Sequence, residues 1–257
     1  ARSDPFAGPA PAVARTTPPP AEPGPGRVVG GQSAAPGRYP WMVRLSMGCG
    51  GVLTAPRVVL TAGHCVGPSG RNTTIAVTAG STDLQSSTAL KARSVYVTRA
   101  PGFRAETEGR DWALVKLDRA LPLPTLPITR STSYDKGTFI VLGWGQTSEQ
   151  SSSQQRYLRS ASVPFVTDRA CGSTYRRAGY PFVAREMLCA GDLRHGGVDA
   201  CQGDSGGPML RRDSRGRWLQ VGIVSWGYGC ARRQFPGVYT QLSTFSGAIG
   251  TATRALR

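Results

Sequence analysis

The string Gly203-Asp204-Ser205-Gly206-Gly207-Pro208 sets a serine in a turn flanked by residues without side chains. A serine hydroxyl is a poor nucleophile, so it needs a base to take its proton and N–H donors to hold the oxyanion that its attack creates. Glycines on either side let the backbone turn tightly and present those donors unobstructed. A Gly-rich turn containing a serine is more often only a turn, so this reading depends on a base and an orienting acid elsewhere. The chain has two histidines. His64, in Thr61-Ala62-Gly63-His64-Cys65, follows the apolar run Val58 to Leu60, so a strand delivers it to a loop pinned at Cys65; His195, in Arg194-His195-Gly196-Gly197, reads as an exposed surface residue. His64 is therefore the candidate base. The orienting carboxylate must be buried to stabilise an imidazolium, and Asp111, at the head of the clear apolar run Ala113-Leu114-Val115-Lys116-Leu117, is the best available.

These residues need a scaffold that holds them still. Short β-branched and apolar runs, broken by Gly, Pro, Ser and Asp, occur at 41–45, 58–62, 75–79, 113–117, 139–142, 221–226 and 238–242. That pattern predicts an all-β protein of antiparallel barrels, with one helix at about 243–256, where Phe245, Ile249 and Ala252 or Thr253 share a face. Residues 1–27 carry eight prolines and, apart from Phe6, almost nothing large and apolar. Such a segment cannot offset its ordering entropy and is expected to be a disordered leader, before an abrupt shift at Arg27-Val28-Val29-Gly30-Gly31.

Composition narrows the class further. With 39% hydrophobic residues the chain can bury a core, and no run reaches the roughly 20 apolar residues of a membrane helix. Six cysteines without Cys-x-x-Cys spacing predict three disulfides in an oxidising, extracellular compartment. The net charge of +16 comes almost wholly from arginine, Lys91, Lys116 and Lys136 being the lysines among 31 basic residues. These charges are spread through every segment, which predicts a solvated basic surface and argues against a nucleic-acid partner.

In the order His64, Asp111, Ser205, with Val28-Val29-Gly30-Gly31 before and Ser225-Trp226-Gly227 after, the chain resembles the chymotrypsin/trypsin family of serine proteases, most of all the secreted trypsins of streptomycetes, over residues 28 to about 256. The resemblance implies two six-stranded antiparallel β-barrels, at about 28–135 and 136–242, with the site in the cleft between them and a C-terminal helix. It implies a triad of His64, Asp111 and Ser205 and an oxyanion hole from the N–H groups of Gly203 and Ser205. It pairs Cys49 with Cys65, Cys171 with Cys189, and Cys201 with Cys230. It makes 1–27 a propeptide and 28–257 the protease domain, with Arg27, Val28 and Asp204 as the activation residues. It places Asp199 at the base of the primary pocket, where a buried carboxylate wants an Arg or Lys side chain as partner. Ser225, Trp226, Gly227 and Gly237 line that pocket.

The implied protein is a secreted monomeric endopeptidase precursor acting on polypeptides, open to proteinaceous inhibitors, with no membrane or nucleic-acid partner, no cofactor and no metal. Calcium would need several oxygen ligands; the stretch around Asp83 offers one carboxylate, and Met187 and Gln241 stand where the bacterial site would want acids, with Asp168 and Glu186 nearby. Two rival readings are a catalytically dead relative that binds acidic polymers through its charge and a protease restricted to one macromolecular substrate. Self-cleavage is expected first at Arg176-Arg177 and Arg211-Arg212, read as exposed loops.

Overall fold

Alternating and continuous apolar runs give most of the fourteen strands among the described residues of the computed structural model, which are 31–146, 154–197 and 203–257. In chain order they begin with β1 (Gln32–Ser33), β2 (Met42–Leu45), β3 (Gly50–Ala55), β4 (Val58–Thr61), β5 (Gly70–Arg71), β6 (Ala76–Ala79), β7 (Leu90–Arg99) and β8 (Ala113–Leu117). β9 (Thr138–Gly143) and β10 (Arg159–Val166) follow, then helix α1 (Asp168–Arg177), β11 (Met187–Ala190), β12 (Pro208–Arg212), β13 (Trp218–Trp226), β14 (Gly237–Gln241) and helix α2 (Leu242–Leu256).

All pairings between strands are antiparallel. One sheet runs β7-β6-β2-β3-β4-β8 and closes through β7 with β8; the other runs β10-β11-β14-β13-β12-β9 and closes through β10 with β9. These are the two six-stranded barrels expected. β5 is added outside the first, and β1 adds to β10 of the second. Closure leaves few free edges and lets each strand send one face inward. Val43, Leu45, Leu53, Val59 and Leu117 fill the first interior, and Phe139, Val163, Met209, Val221 and Tyr239 the second.

The terminal helix forms where the periodicity placed it. Leu242, Ile249, Thr253 and Leu256 make its buried stripe, and it packs back on the first barrel's core, with Phe245 against Trp112 at 6.5 Å. The sequence reading has no other helix, and α1 corrects it. Poor helix formers such as Gly172, Ser173 and Thr174 hide this element. Thr167 caps it by accepting from the Ala170 N–H at 3.3 Å, Asp168 and Arg176 and Arg177 complement its dipole, and Cys171 ties it to β11 through Cys189.

Candidate active site

His64 sits in a single helical turn (Gly63–Cys65) just past β4. A disulfide from Cys65 to Cys49, with Cα atoms 6.2 Å apart, anchors that turn beside the start of β3. The turn packs closely on the acid, since a Cβ at Gly63 would stand a tight 3.2 Å from Asp111 Oδ1. Asp111 Oδ1 accepts from the His64 backbone N–H at 2.8 Å, and Oδ2 lies 2.8 Å from His64 Nδ1. The carboxylate is 1% exposed, the imidazole side chain 23%. Burial alone would lower the imidazole's pKa; the hydrogen bond and charge of Asp111, helped by Glu106, outweigh it, and the net shift is upward.

Two further side chains hold Asp111. Ser225 Oγ donates to Oδ2 at 2.6 Å, and Thr240 Oγ1 donates to the Asp111 carbonyl at 2.7 Å. Both come from the second barrel, so Asp111 ties the barrels together at the cleft. A nearly fully buried carboxylate that accepts three donors on its two oxygens is fixed in place beside the imidazole that it must steady.

Ser205 reaches the same place from the other side. Its carbonyl accepts from the Gly50 N–H at 2.8 Å, and the Gly206 N–H donates to Val224 at 2.9 Å. Gly206 has φ +79°, and a Cβ there would lie 2.2 Å from Thr61 Oγ1, so only glycine allows the serine turn to press against the end of β4. Among the described residues, no hydrogen bond joins Ser205 Oγ to His64; His64 Nε2 lies 3.7 Å from Cys65 Sγ. In the absence of substrate such nucleophile-to-base contacts are commonly open.

Asp204 is 2% exposed. Its Oδ1 accepts from the Gly145 N–H at 2.8 Å, and Cβ atoms at Gly143 or Gly145 would collide with the carboxyl at 1.9 and 2.6 Å. Gly203 has φ +90°, and its carbonyl accepts from Arg44 Nη1 at 2.9 Å. The Arg44 residue, 8% exposed on β2, escaped the sequence reading. Burial holds its pKa below the usual arginine value, and the charge of Asp204 opposes this only in part. The available signal was a charged residue inside the four-residue apolar run Met42-Val43-Arg44-Leu45, where alternation turns Arg44 away from the core that Val43 and Leu45 fill.

Of the expected pocket residues, Ser225 and Trp226 end β13, Gly237 opens β14, and a Cβ on Gly227 would lie 3.8 Å from the Gly237 Cα. The two glycines thus face each other closely. Tyr175 of α1, also missed, supports this wall: its hydroxyl donates to the Pro236 carbonyl at 2.5 Å, and its ring packs 4.7 Å from that of Trp226. Arg27, Val28, Asp199 and Cys201 lie outside the described residues. Cys230 is disulfide-bonded. His195 is 79% exposed and bonded to Asp192 at 2.9 Å, remote in role from the buried pair. Among the described residues one group of side chains is close enough to hold a metal, Cys49 with His64 and Cys65, and the disulfide consumes both sulfurs.

A protein-family model described as Trypsin matches residues 28–249. The chain is 52% identical over 230 residues to a trypsin-like protease of Streptomyces glaucescens, covering 90% of this chain and 84% of that protein. It is 37% identical to trypsin 5G1 of Aedes aegypti, covering 85% and 82%, and 36% identical to transmembrane protease serine 9 of Rattus norvegicus, of which it spans 21%. The chain belongs to the trypsin family of serine endopeptidases. It is a hydrolase whose substrates are polypeptides.

Proposed function

We propose that this chain is the secreted precursor of an endopeptidase that cuts after Arg or Lys, with His64, Asp111 and Ser205 as its triad. The buried Asp111 carboxylate, bonded at once to the His64 ring, the His64 N–H and Ser225 Oγ, is the observation that carries the reading. Ser205 Oγ attacks the scissile carbonyl as His64 Nε2 takes its proton, and Asp111 steadies the imidazolium. The oxyanion accepts from the N–H groups of Gly203 and Ser205, an interaction worth about 3 kcal/mol per donor in such sites. His64 then gives its proton to the leaving amine, and water, deprotonated by His64, releases the acyl group. Asp199 supplies the counter-charge for the substrate cation, between walls kept open by Gly227 and Gly237. Disulfides suit an extracellular location, and no helix of the described residues is long and apolar enough to cross a membrane. We take the enzyme to act as a monomer that proteinaceous inhibitors can block.

Asp199→Ser should lower kcat/KM on arginyl substrates by roughly three orders of magnitude or more, because the substrate cation loses its partner. Active-site titration of the same variant should still count one reactive serine per chain. Retention of the Arg preference would refute the pocket. Activation follows from Arg27 meeting the same specificity: cleavage there frees a Val28 ammonium to pair with Asp204, and mature enzyme activates more precursor. Purified precursor should show a lag that shortens with protein concentration, a new N-terminus at Val28, and no activation on that timescale in Arg27→Gln. Full activity in the uncleaved Arg27→Gln chain would overturn this step.

A further inference from the structure

On the first barrel, β5, β7 and β8 lie side by side, and their register sets Arg71 opposite Tyr96 and Tyr96 opposite Lys116. A ring that is 40% exposed therefore stands between two cations across three adjacent strands. The β7 ladder shifts register between Ser94 and Tyr96, which makes Val95 an extra residue. Strict alternation would turn Val95 and Tyr96 to opposite faces; bulges re-aim side chains, and here both line a single cleft of about 880 Å³. Arg57, Arg71 and Lys116 line it as well, and Leu256 of α2 adds an apolar wall.

No carboxylate lines this cleft, and none of its three cations belongs to an ion pair among the described residues. Arg57 donates to the carbonyls of Leu117 and Asp118 at 2.6 and 2.9 Å, which fixes its guanidinium without neutralising it. The last turn of α2 presents the negative end of a helix dipole, about half a charge. Three cations exceed what that dipole can balance. Their mutual repulsion, around a recess with an exposed ring and aliphatic walls, is relieved by an anionic ligand that also carries apolar surface.

We propose that the cleft is a docking site for an acidic stretch of polypeptide in which a Leu or Phe side chain sits among carboxylates. The apolar side chain enters beside Tyr96, Val95 and Leu256, and the carboxylates meet Arg71, Lys116 and Arg57. A nucleic acid is the poorer occupant: it wants several rings in succession to stack its bases, and the cleft offers one. Lys116 of β8 lies five residues along the chain from Asp111, at most about 16 Å when extended. A substrate docked here can place another segment in the active site and gain from the raised local concentration. That last consequence rests on the proposed function; the docking itself does not.

The test is fluorescence anisotropy on the full chain with a labelled peptide, Gly-Asp-Glu-Leu-Glu-Asp-Phe, which contains no Arg or Lys. Removing two partly exposed charge contacts, together worth about 1–2 kcal/mol, should weaken binding about tenfold in Arg71→Ala/Lys116→Ala. The peptide with its Leu and Phe replaced by Ser should bind less tightly to the wild type and equally to Tyr96→Ala. The control Arg176→Ala/Arg177→Ala, with the same loss of charge on α1, should bind the peptide as the wild type does. Equal weakening in both double variants, or tighter binding of a single-stranded oligonucleotide lost with Arg71 and Lys116, would overturn the proposal. After activation by cleavage at Arg27, turnover of a small arginyl substrate should be unchanged in Arg71→Ala/Lys116→Ala. Absence of that turnover in the cleaved wild type would refute the proposed function while leaving the anisotropy result readable.

Discussion

Arg44 supports the serine turn from far away in the sequence: it is separated by 159 positions from the Gly203 carbonyl that it holds. An arginine buried on a core strand is costly unless its charge and its donors are both answered. Gly203 answers a donor, and the Asp204 charge answers the cation. The benefit runs the other way too, because the Gly203-Asp204 peptide would otherwise leave a carbonyl without its partner, at about 1–3 kcal/mol. Arg44→Met should therefore depopulate the ordered serine turn and lower kcat/KM on a small arginyl substrate about tenfold or more. Arg44→Lys, which keeps the charge but not the fork, should recover part of this. The acid limb of the pH profile should keep its midpoint in both variants, since His64 and Asp111 are untouched. A shifted limb, or an unchanged kcat/KM, would show that Arg44 does not position the turn.

Between elements, the seam where the second barrel meets α2 carries a titratable contact. Asp135 follows a helical turn (Thr132–Tyr134) and accepts from Ser243 Oγ of α2 at 3.4 Å. It lines a cavity of about 500 Å³ with Asp168, Arg185 and Gln241. Burial, with the Asp168 charge adding and the Ser243 bond opposing, pushes its pKa from 3.8 up to about 6. A carboxyl that prefers its proton in the folded state stabilises fully below pH 4, and that contribution is lost as pH rises through about 6. Asp135→Asn should thus raise stability at pH 7 by about 1 kcal/mol, less than the roughly 3 kcal/mol of a two-unit shift because the group is partly solvated, and change little at pH 3.5. Chemical denaturation at the two pH values measures this; an equal effect at both would refute it. The same seam shows what the sequence reveals. α2 was legible because one face repeats over fifteen residues, and the strand at 113–117 because Lys116 alone interrupts its apolar run. α1 and β10 were not: the first is held by a cap and a disulfide, and Pro164 with two serines breaks the apolar pattern of the second. Among the site residues, His64 and Ser205 stood out because few residues can do their chemistry. Ser225, Thr240 and Arg44 acquire their roles from approaches across 114, 129 and 159 positions; the local pattern marks Arg44 as unusual but does not name its partner.

For the whole molecule, a protease carrying 31 basic residues with the proposed Arg/Lys specificity is also a substrate, and the fold decides where. The two arginine pairs expected to be cut first are in regular structure. Arg211 and Arg212 lie in β12 opposite Leu219 and Trp218, with the Arg212 guanidinium 4.0 Å from the Trp218 ring centroid, and Arg176 and Arg177 form the last turn of α1. Cleavage at either requires local unfolding, since a bound substrate must be extended over several residues. Arg130 is different. It is exposed, outside any strand or helix, in the connection between β8 of the first barrel and β9 of the second. Cys49 with Cys65 falls before it and Cys171 with Cys189 after it, so no described disulfide spans the connection. A cut after Arg130 should leave the barrels associated through the Asp111 contacts under native conditions and release them when denatured, without reductant. Non-reducing gels and mass spectrometry of an aged active sample should show fragments ending at Arg130 before any ending at Arg211 or Arg176, and Arg130→Gln should delay the first fragment. Early fragments ending within β12 would mean that this strand opens more readily than its pairing to β13 and β9 allows.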